Sequence, residues 1–322
     1  MDVSTAALQA EEALRLYVRE TPLEYSLPLS TLLQCHVYLK LENMQYTGSF
    51  KVRGAMNRLL SLPVEQRARG VVAASSGNHG IAVAFGLHRL GLQGIVFVPE
   101  GASSTKMEAI RAYGVEVRVY GKDCVLTEEY ARAYARQHEM TYISPYNDAA
   151  VVAGQGTIGV ELHRQREQID AVFVALGGGG LVSGIAGYLK AVRPALSVVG
   201  CSPHRSPVMF ESIRAGQIIA METAPTLSDG TAGGIEPDAL TFPLCRQLID
   251  THILVSEEEI RRAMLLIMQL HHQLIEGAAG VPVAALFQQQ ERFRGQHVVL
   301  VLCGANVSLE VLKRVLDPQG DL

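Results

Sequence analysis

Short runs of β-branched and other apolar residues recur along the chain, each followed by a glycine-containing turn and then by apolar positions at helical spacing. Runs at 36–41, 70–74, 94–98, 115–120 and 141–143 predict strands, and segments 49–60, 81–90, 104–113 and 127–137 predict the helices among them. Beyond a polar turn at 144–148, a helix through 152–164 leads to a strand at 171–176, a further helix and a strand at 196–201. The stretch 202–243, rich in Gly, Pro and Ser, predicts irregular chain with helical pieces. Helices near 256–269 and 281–290 then precede a last strand at 297–302. Repeated strand–helix–strand units build parallel sheets flanked by helices, which places the chain in the α/β class. No Pro-rich or Ser/Gly-rich linker separates independent units, so two lobes sharing one cleft are expected.

One segment tests that reading. Residues 171–189 carry no charge and approach the length of a membrane span, yet they contain six glycines. Glycine inside a helix costs about 1 kcal/mol relative to alanine, so a buried strand, a glycine loop and a new helix account for these letters better than a membrane helix.

Charge narrows the partners. The 322 residues hold 28 Lys+Arg against 32 Asp+Glu, a formal charge of −4, with no run of five basic residues. A nucleic-acid or anionic membrane surface would need a concentrated basic face, so a small-molecule partner is expected instead. The five cysteines (Cys35, Cys124, Cys201, Cys245 and Cys303) are scattered, with no Cys-x-x-Cys pair, and indicate neither a disulfide framework nor a zinc site. With no basic stretch leading into an apolar core over 1–20, a cytoplasmic location is expected.

Candidate chemistry begins at Gly177, Gly178, Gly179 and Gly180, where a strand ends and a helix begins. Backbone N–H groups at such a junction hold a phosphate-sized anion, and glycine lets it approach the main chain; a merely tight loop is the alternative. The run does not satisfy Gly-x-Gly-x-x-Gly, because Val182 and Ser183 occupy the third-glycine positions, and the next strand ends at Cys201–Ser202 without an acid for a ribose. A small phosphorylated cofactor without a ribose remains. A second strand-to-helix loop, Ser75-Ser76-Gly77-Asn78-His79-Gly80, suits a carboxylate, although Ser and Asn also cap helices with no ligand present. Lys51 falls in the first turn of a predicted helix, whose positive end should lower its pKa and keep the amine nucleophilic. Such an amine beside a phosphate site suggests a Schiff base with pyridoxal phosphate; a surface lysine after a capping serine is the alternative.

Taken together, Lys40-x-Glu42-Asn43-x-Gln45-x-Thr47-Gly48-Ser49-Phe50-Lys51-x-Arg53-Gly54-Ala55, the Ser75–Gly80 loop, Ala153-Gly154-Gln155-Gly156-Thr157 and the four glycines resemble the fold-type II pyridoxal-phosphate enzymes. The similarity is greatest to their threonine/serine dehydratase and serine racemase branch, and it runs from Thr21-Pro22-Leu23 to Cys303-Gly304-x-Asn306. The resemblance implies the two-lobed, tryptophan synthase β-like fold, each lobe a mostly parallel sheet. A small lobe, 52–144, would be inserted into a large one formed by 1–51 and 145–322. It also implies a homodimer and an ammonia-lyase that dehydrates a β-hydroxy amino acid, with racemisation or β-replacement as alternatives.

Roles follow by resemblance, position by position. Lys51 would carry the cofactor and act as the Cα base, with Phe50 packed against the cofactor ring. Asn78 would bond the ring oxygen, Gly177 to Gly180 would cradle the phosphate, and Cys303 would meet the pyridine nitrogen. Ser75, Ser76, Gly77, Asn78 and His79 would bind the substrate carboxylate, and Ser76 stands where racemase-like members place an acid/base. A thiol is a neutral partner for the ring nitrogen, which favours prompt loss of a β-hydroxyl over transamination. Where metal-dependent members carry acids, this chain has Ser202-Pro203-His204-Arg205, so no metal site is expected. Thr231-Ala232-Gly233-Gly234 are small, which suggests a substrate side chain larger or more apolar than that of serine.

Overall fold

The computed structural model describes residues 1–317. Ten strands among the described residues form two sheets. β1 (Leu23–Tyr25), β2 (His36–Lys40), β7 (Ala171–Ala175), β8 (Ser197–Pro203), β9 (Thr251–Val255) and β10 (His297–Val301) make a six-stranded sheet in the order β1-β2-β10-β7-β8-β9. All its pairs are parallel except the antiparallel β1–β2 edge. β3 (Val71–Ala74), β4 (Gly94–Val98), β5 (Glu116–Val119) and β6 (Thr141–Tyr142) make a second sheet, entirely parallel, in the order β5-β4-β3-β6. The α/β class and the doubled parallel sheet are as the strand rhythm predicts. The central strands β3 and β7 are buried along their whole length, as near-continuous apolar runs in a parallel sheet require.

The uncharged segment resolves into β7, a glycine loop and the helix Gly180–Val192. Among the described residues, no helix is long and apolar enough to cross a membrane. Several elements went unread in the sequence. The helix Val3–Leu14 buries only Val3, Ala7, Ala10 and Leu14, a narrow stripe among polar residues, and the β1 strand and β9 are short. The stretch 202–243, read as irregular with helical pieces, holds the helix Val208–Ala215 and the start of Thr241–Leu248, in line with that reading.

The helix Lys51–Ser61 lies at the seam, packed on one side against Ala149–Gln165 and on the other against Asn78–Leu90. Glycine makes the first of these contacts possible. A Cβ on Gly154 would fall 2.6 Å from the Arg53 carbonyl oxygen, and one on Gly54 would fall 2.3 Å from Gln155 Nε2, so the two helices meet backbone to backbone. Around this crossing a four-charge clasp is buried. Arg53 donates Nε and Nη2 to Glu42 at 2.8 Å each and Nη2 to Glu161 at 2.9 Å, while Lys40 Nζ donates to Glu161 and, at 2.7 Å, to the Thr21 carbonyl. Burial opposes the Arg53 charge, but Glu42 and Glu161 more than offset it and raise the pKa.

Candidate active site

Lys51 is the first residue of its helix, and no side chain caps that end. Ser49 is fully buried with its hydroxyl unpaired, so the capping-serine alternative does not hold. Lys51 Nζ donates to the Pro145 carbonyl at 3.0 Å. Burial pulls the amine down to about 8, against the raising influence of Cys303, Glu276 and Glu128. Desolvation is thus the main cause of the shift that the sequence assigned to the helix end. Phe50, its ring 5.2 Å from Nζ, donates its N–H to the Cys303 carbonyl at 3.1 Å, which fixes the lysine beside the end of β10.

The residue after Pro145 carries the connection onward. Tyr146 packs on the glycine loop so closely that a Cβ on Gly178 would lie 2.6 Å from its ring, and one on Gly180 would lie 3.0 Å from its Cβ. Gly177 meets Thr231 in the same way at 2.8 Å, and Gly179, at φ 85°, meets Cys245 Sγ at 2.6 Å. Side chains and, at Gly177, the Thr231 backbone therefore fill every place where a Cβ could stand, and the loop presents backbone only. Its N–H groups lie at the start of the helix Gly180–Val192, where the first turn has no intrahelical acceptor, a cradle that fits a phosphate.

The second loop is shorter than the sequence suggested, because the helix Asn78–Leu90 begins at Asn78. Ser75 Oγ accepts from Gly77 N–H at 3.1 Å, and Ser76 lies half-buried between them. Asn78 is held at both ends: Nδ2 donates to both Glu276 carboxylate oxygens at 2.9 Å, and Oδ1 accepts from Asn306 Nδ2 at 2.6 Å. His79 behaves differently from its neighbours. Its ring turns into the lobe, where Nε2–H donates to the Ile143 carbonyl at 2.8 Å, and burial drops its pKa to about 3. The imidazole is neutral and faces away from the loop, leaving only its backbone N–H to a ligand.

Glu276 and Tyr146 are the members the sequence reading missed. Glu276 stands at the cap position of the helix Gly277–Gln288, buried, and burial raises its carboxyl to about 7. Gly304 is required beside it, since a Cβ there would lie 2.6 Å from the carboxyl. Cys303 is buried too, and burial followed by Glu276 holds its thiol well above the usual range, so the sulfur is neutral. Among the described residues, no group of three or more His, Cys, Asp or Glu converges as for a metal. The loop, the lysine, the neutral thiol and the clamped amide fit pyridoxal phosphate.

Comparison with known proteins agrees with the geometry. The family described as pyridoxal-phosphate dependent enzyme matches residues 14–304. The L-threonine ammonia-lyase of Geobacter sulfurreducens is 38% identical over 315 residues, covering 97% of this chain and 78% of that protein. Among solved structures, the processed form of threonine deaminase isoform 2 from Solanum lycopersicum has a TM-score of 0.92 at 32% identity, covering 98% of this chain and 93% of that one. Maize serine racemase has a TM-score of 0.91 at 29% identity, with 97% and 96% coverage.

Proposed function

The chain belongs to the pyridoxal-phosphate-dependent enzymes, and from that premise we propose an ammonia-lyase that eliminates water from a β-hydroxy amino acid, L-threonine first, to give a 2-keto acid and ammonia. One observation carries this reading. The consecutive residues Pro145 and Tyr146 touch the Lys51 amine and the backbone cradle at Gly177 to Gly180 respectively, which brings a nucleophile and a phosphate site together on one stretch of chain.

When bound, pyridoxal phosphate supplies the electron sink that makes the substrate Cα–H acidic. Lys51, Asn78, the four glycines and Cys303 would hold it. The chain's own residues do the rest. Near neutral pH an amine with its pKa brought to about 8 is part neutral, so Lys51 Nζ can take the Cα proton. The N–H groups at the start of the helix Asn78–Leu90, with Ser75 and Ser76, hold the substrate carboxylate and so fix which face of Cα meets Lys51. Glu276 and Asn306 prevent the Asn78 amide from flipping, keeping one Nδ2 hydrogen for the ring oxygen. Cys303, uncharged, leaves the ring nitrogen without an anionic partner, which favours rapid departure of the β-hydroxyl. The released enamine becomes keto acid and ammonia in water.

A racemase reading is the second, supported by the Ser76 hydroxyl in the carboxylate loop and by the similarity to maize serine racemase. A homodimer in the cytoplasm belongs to the same proposal; the five free cysteines are in keeping with a reducing compartment. The test is incubation of the holoenzyme with L-threonine, following keto acid with a carbonyl reagent and residual amino acid by chiral chromatography. Keto acid and ammonia in equal amounts are expected, and D-allo-threonine, the product of inversion at Cα alone, without keto acid would overturn the lyase reading.

A further inference from the structure

The wall of the cleft that the small sheet's helices present to Lys51 is not used by the chemistry above. The helix Cys124–Gln137 carries Glu128 and Arg132 one turn apart, hence on one face. Arg132 reaches Glu236 of the opposite wall, Nη2 to Oε1 at 2.7 Å, and Asn147 Nδ2 donates to the other Glu236 oxygen at 2.9 Å. Arg132 thereby shows which way this face points. Glu128 points the same way and is half-buried, yet it makes no hydrogen bond or ion pair. Of the charges that act on it, Arg132 is the strongest, followed by Glu236 and Lys51. Tyr142 supplies a second unspent group. Its hydroxyl is withdrawn from solvent with no partner, the Arg132 guanidinium lies 4.2 Å from its ring, and Glu128 acts on it electrostatically.

An acceptor without a donor and a hydroxyl without a partner, in one polar recess beside the base, each carry a desolvation cost that a further hydrogen-bonding group would relieve. The Arg132 guanidinium is committed to Glu236, which leaves the Glu128 carboxylate without a donor of its own. Building on the ammonia-lyase reading, we propose that Glu128 and the Tyr142 hydroxyl receive the far end of the substrate side chain, and that this end bears a hydrogen-bond donor, best an ammonium. The substrate is then a β-hydroxy amino acid with an amine one carbon beyond the hydroxyl-bearing carbon. The sequence pointed to a larger or more apolar side chain; the recess keeps the size and reverses the polarity.

The test uses holoenzyme and two ligands of equal chain length that lack a β-hydroxyl and so cannot eliminate: 2,4-diaminobutanoate and 2-aminopentanoate. Binding of each is read from the change in cofactor absorbance. At least tenfold tighter binding of the diamine is expected, falling below threefold in Glu128→Gln and by a smaller factor in Tyr142→Phe. Equal affinities in the unaltered enzyme, or a preference that neither variant changes, would overturn the proposal. In turnover, kcat/KM for 4-aminothreonine should exceed that for threonine, and Glu128→Gln should reverse the order. A binding preference without keto acid from any hydroxy amino acid would sink the lyase reading and leave the recess standing. Keto acid from threonine without the preference would do the opposite.

Discussion

Arg53 and Lys51 sit two residues apart on one helix, and the protein treats their surroundings in opposite ways. Around Arg53, two cations and two carboxylates are fully buried and mutually paired, with Thr21, Thr157 and Gln165 closing the remaining bonds. Around Lys51, a carbonyl is the amine's one hydrogen-bond partner, Glu128 has none, the Tyr142 hydroxyl has none, and Glu276 is pushed toward the neutral acid. A buried polar network that is complete fixes geometry, and one that is incomplete waits for another molecule. Completeness of pairing thus separates scaffold from site more sharply than charge or burial does.

Breaking the incomplete side at its centre should have the largest effect. Lys51→Ala should lower kcat by more than about 10⁴-fold, and the visible absorbance of a protonated imine should vanish from the reconstituted protein. The complete side should respond in stability instead. Arg53→Met leaves Glu42 without its ion pair and Glu161 with Lys40 alone, and should cost about 3–5 kcal/mol in denaturant unfolding, most of it recovered when Glu42 is also changed to Gln. If Arg53→Met altered kcat in a fully folded protein and left stability unchanged, the division between scaffold and site would fail.

Glu276 lies between the extremes. Its folded-state pKa, near 7, stands above the ordinary 4.5, so the native protein holds the proton more tightly than the unfolded chain. Its contribution is therefore intact below about pH 4.5 and is lost as pH rises through 7. In cofactor-free protein, Glu276→Gln should flatten that decline, worth roughly 3 kcal/mol at most, as read from unfolding curves across this range. Ser76→Ala should produce the smallest change. Interconversion of L and D substrate should disappear in a chiral assay, while keto-acid release falls less than about tenfold.

The sequence disclosed what local rules encode. Strands such as β3 and β7 are unbroken apolar runs, the glycine loop can hardly be read as anything but close backbone approach, and Lys51 is marked by its flanking motif. Partnership across long separations was hidden. Glu276 precedes a helix of small residues with Pro282 inside it, so helical periodicity suggested a start at 281 and left the carboxylate in an apparent linker. Tyr146 stood in what looked like a polar turn, and Glu128 resembled a solvated helix residue, because only the opposite wall reveals that both face a cleft. The His79 ring was read with its loop because a sequence does not show which way a side chain on the first turn of a helix will point.

The backbone contact of the Lys51–Ser61 helix with Ala149–Gln165 has a mechanical consequence. Where side chains interpose, helices can slide by fractions of an ångström, whereas Gly54 and Gly154 leave no such play. The amine is mounted like a tool on a bearing without backlash, and rate depends steeply on so small an offset. Altered specificity should therefore be sought across the gap, at residues 128 and 142, where retooling does not disturb the mount.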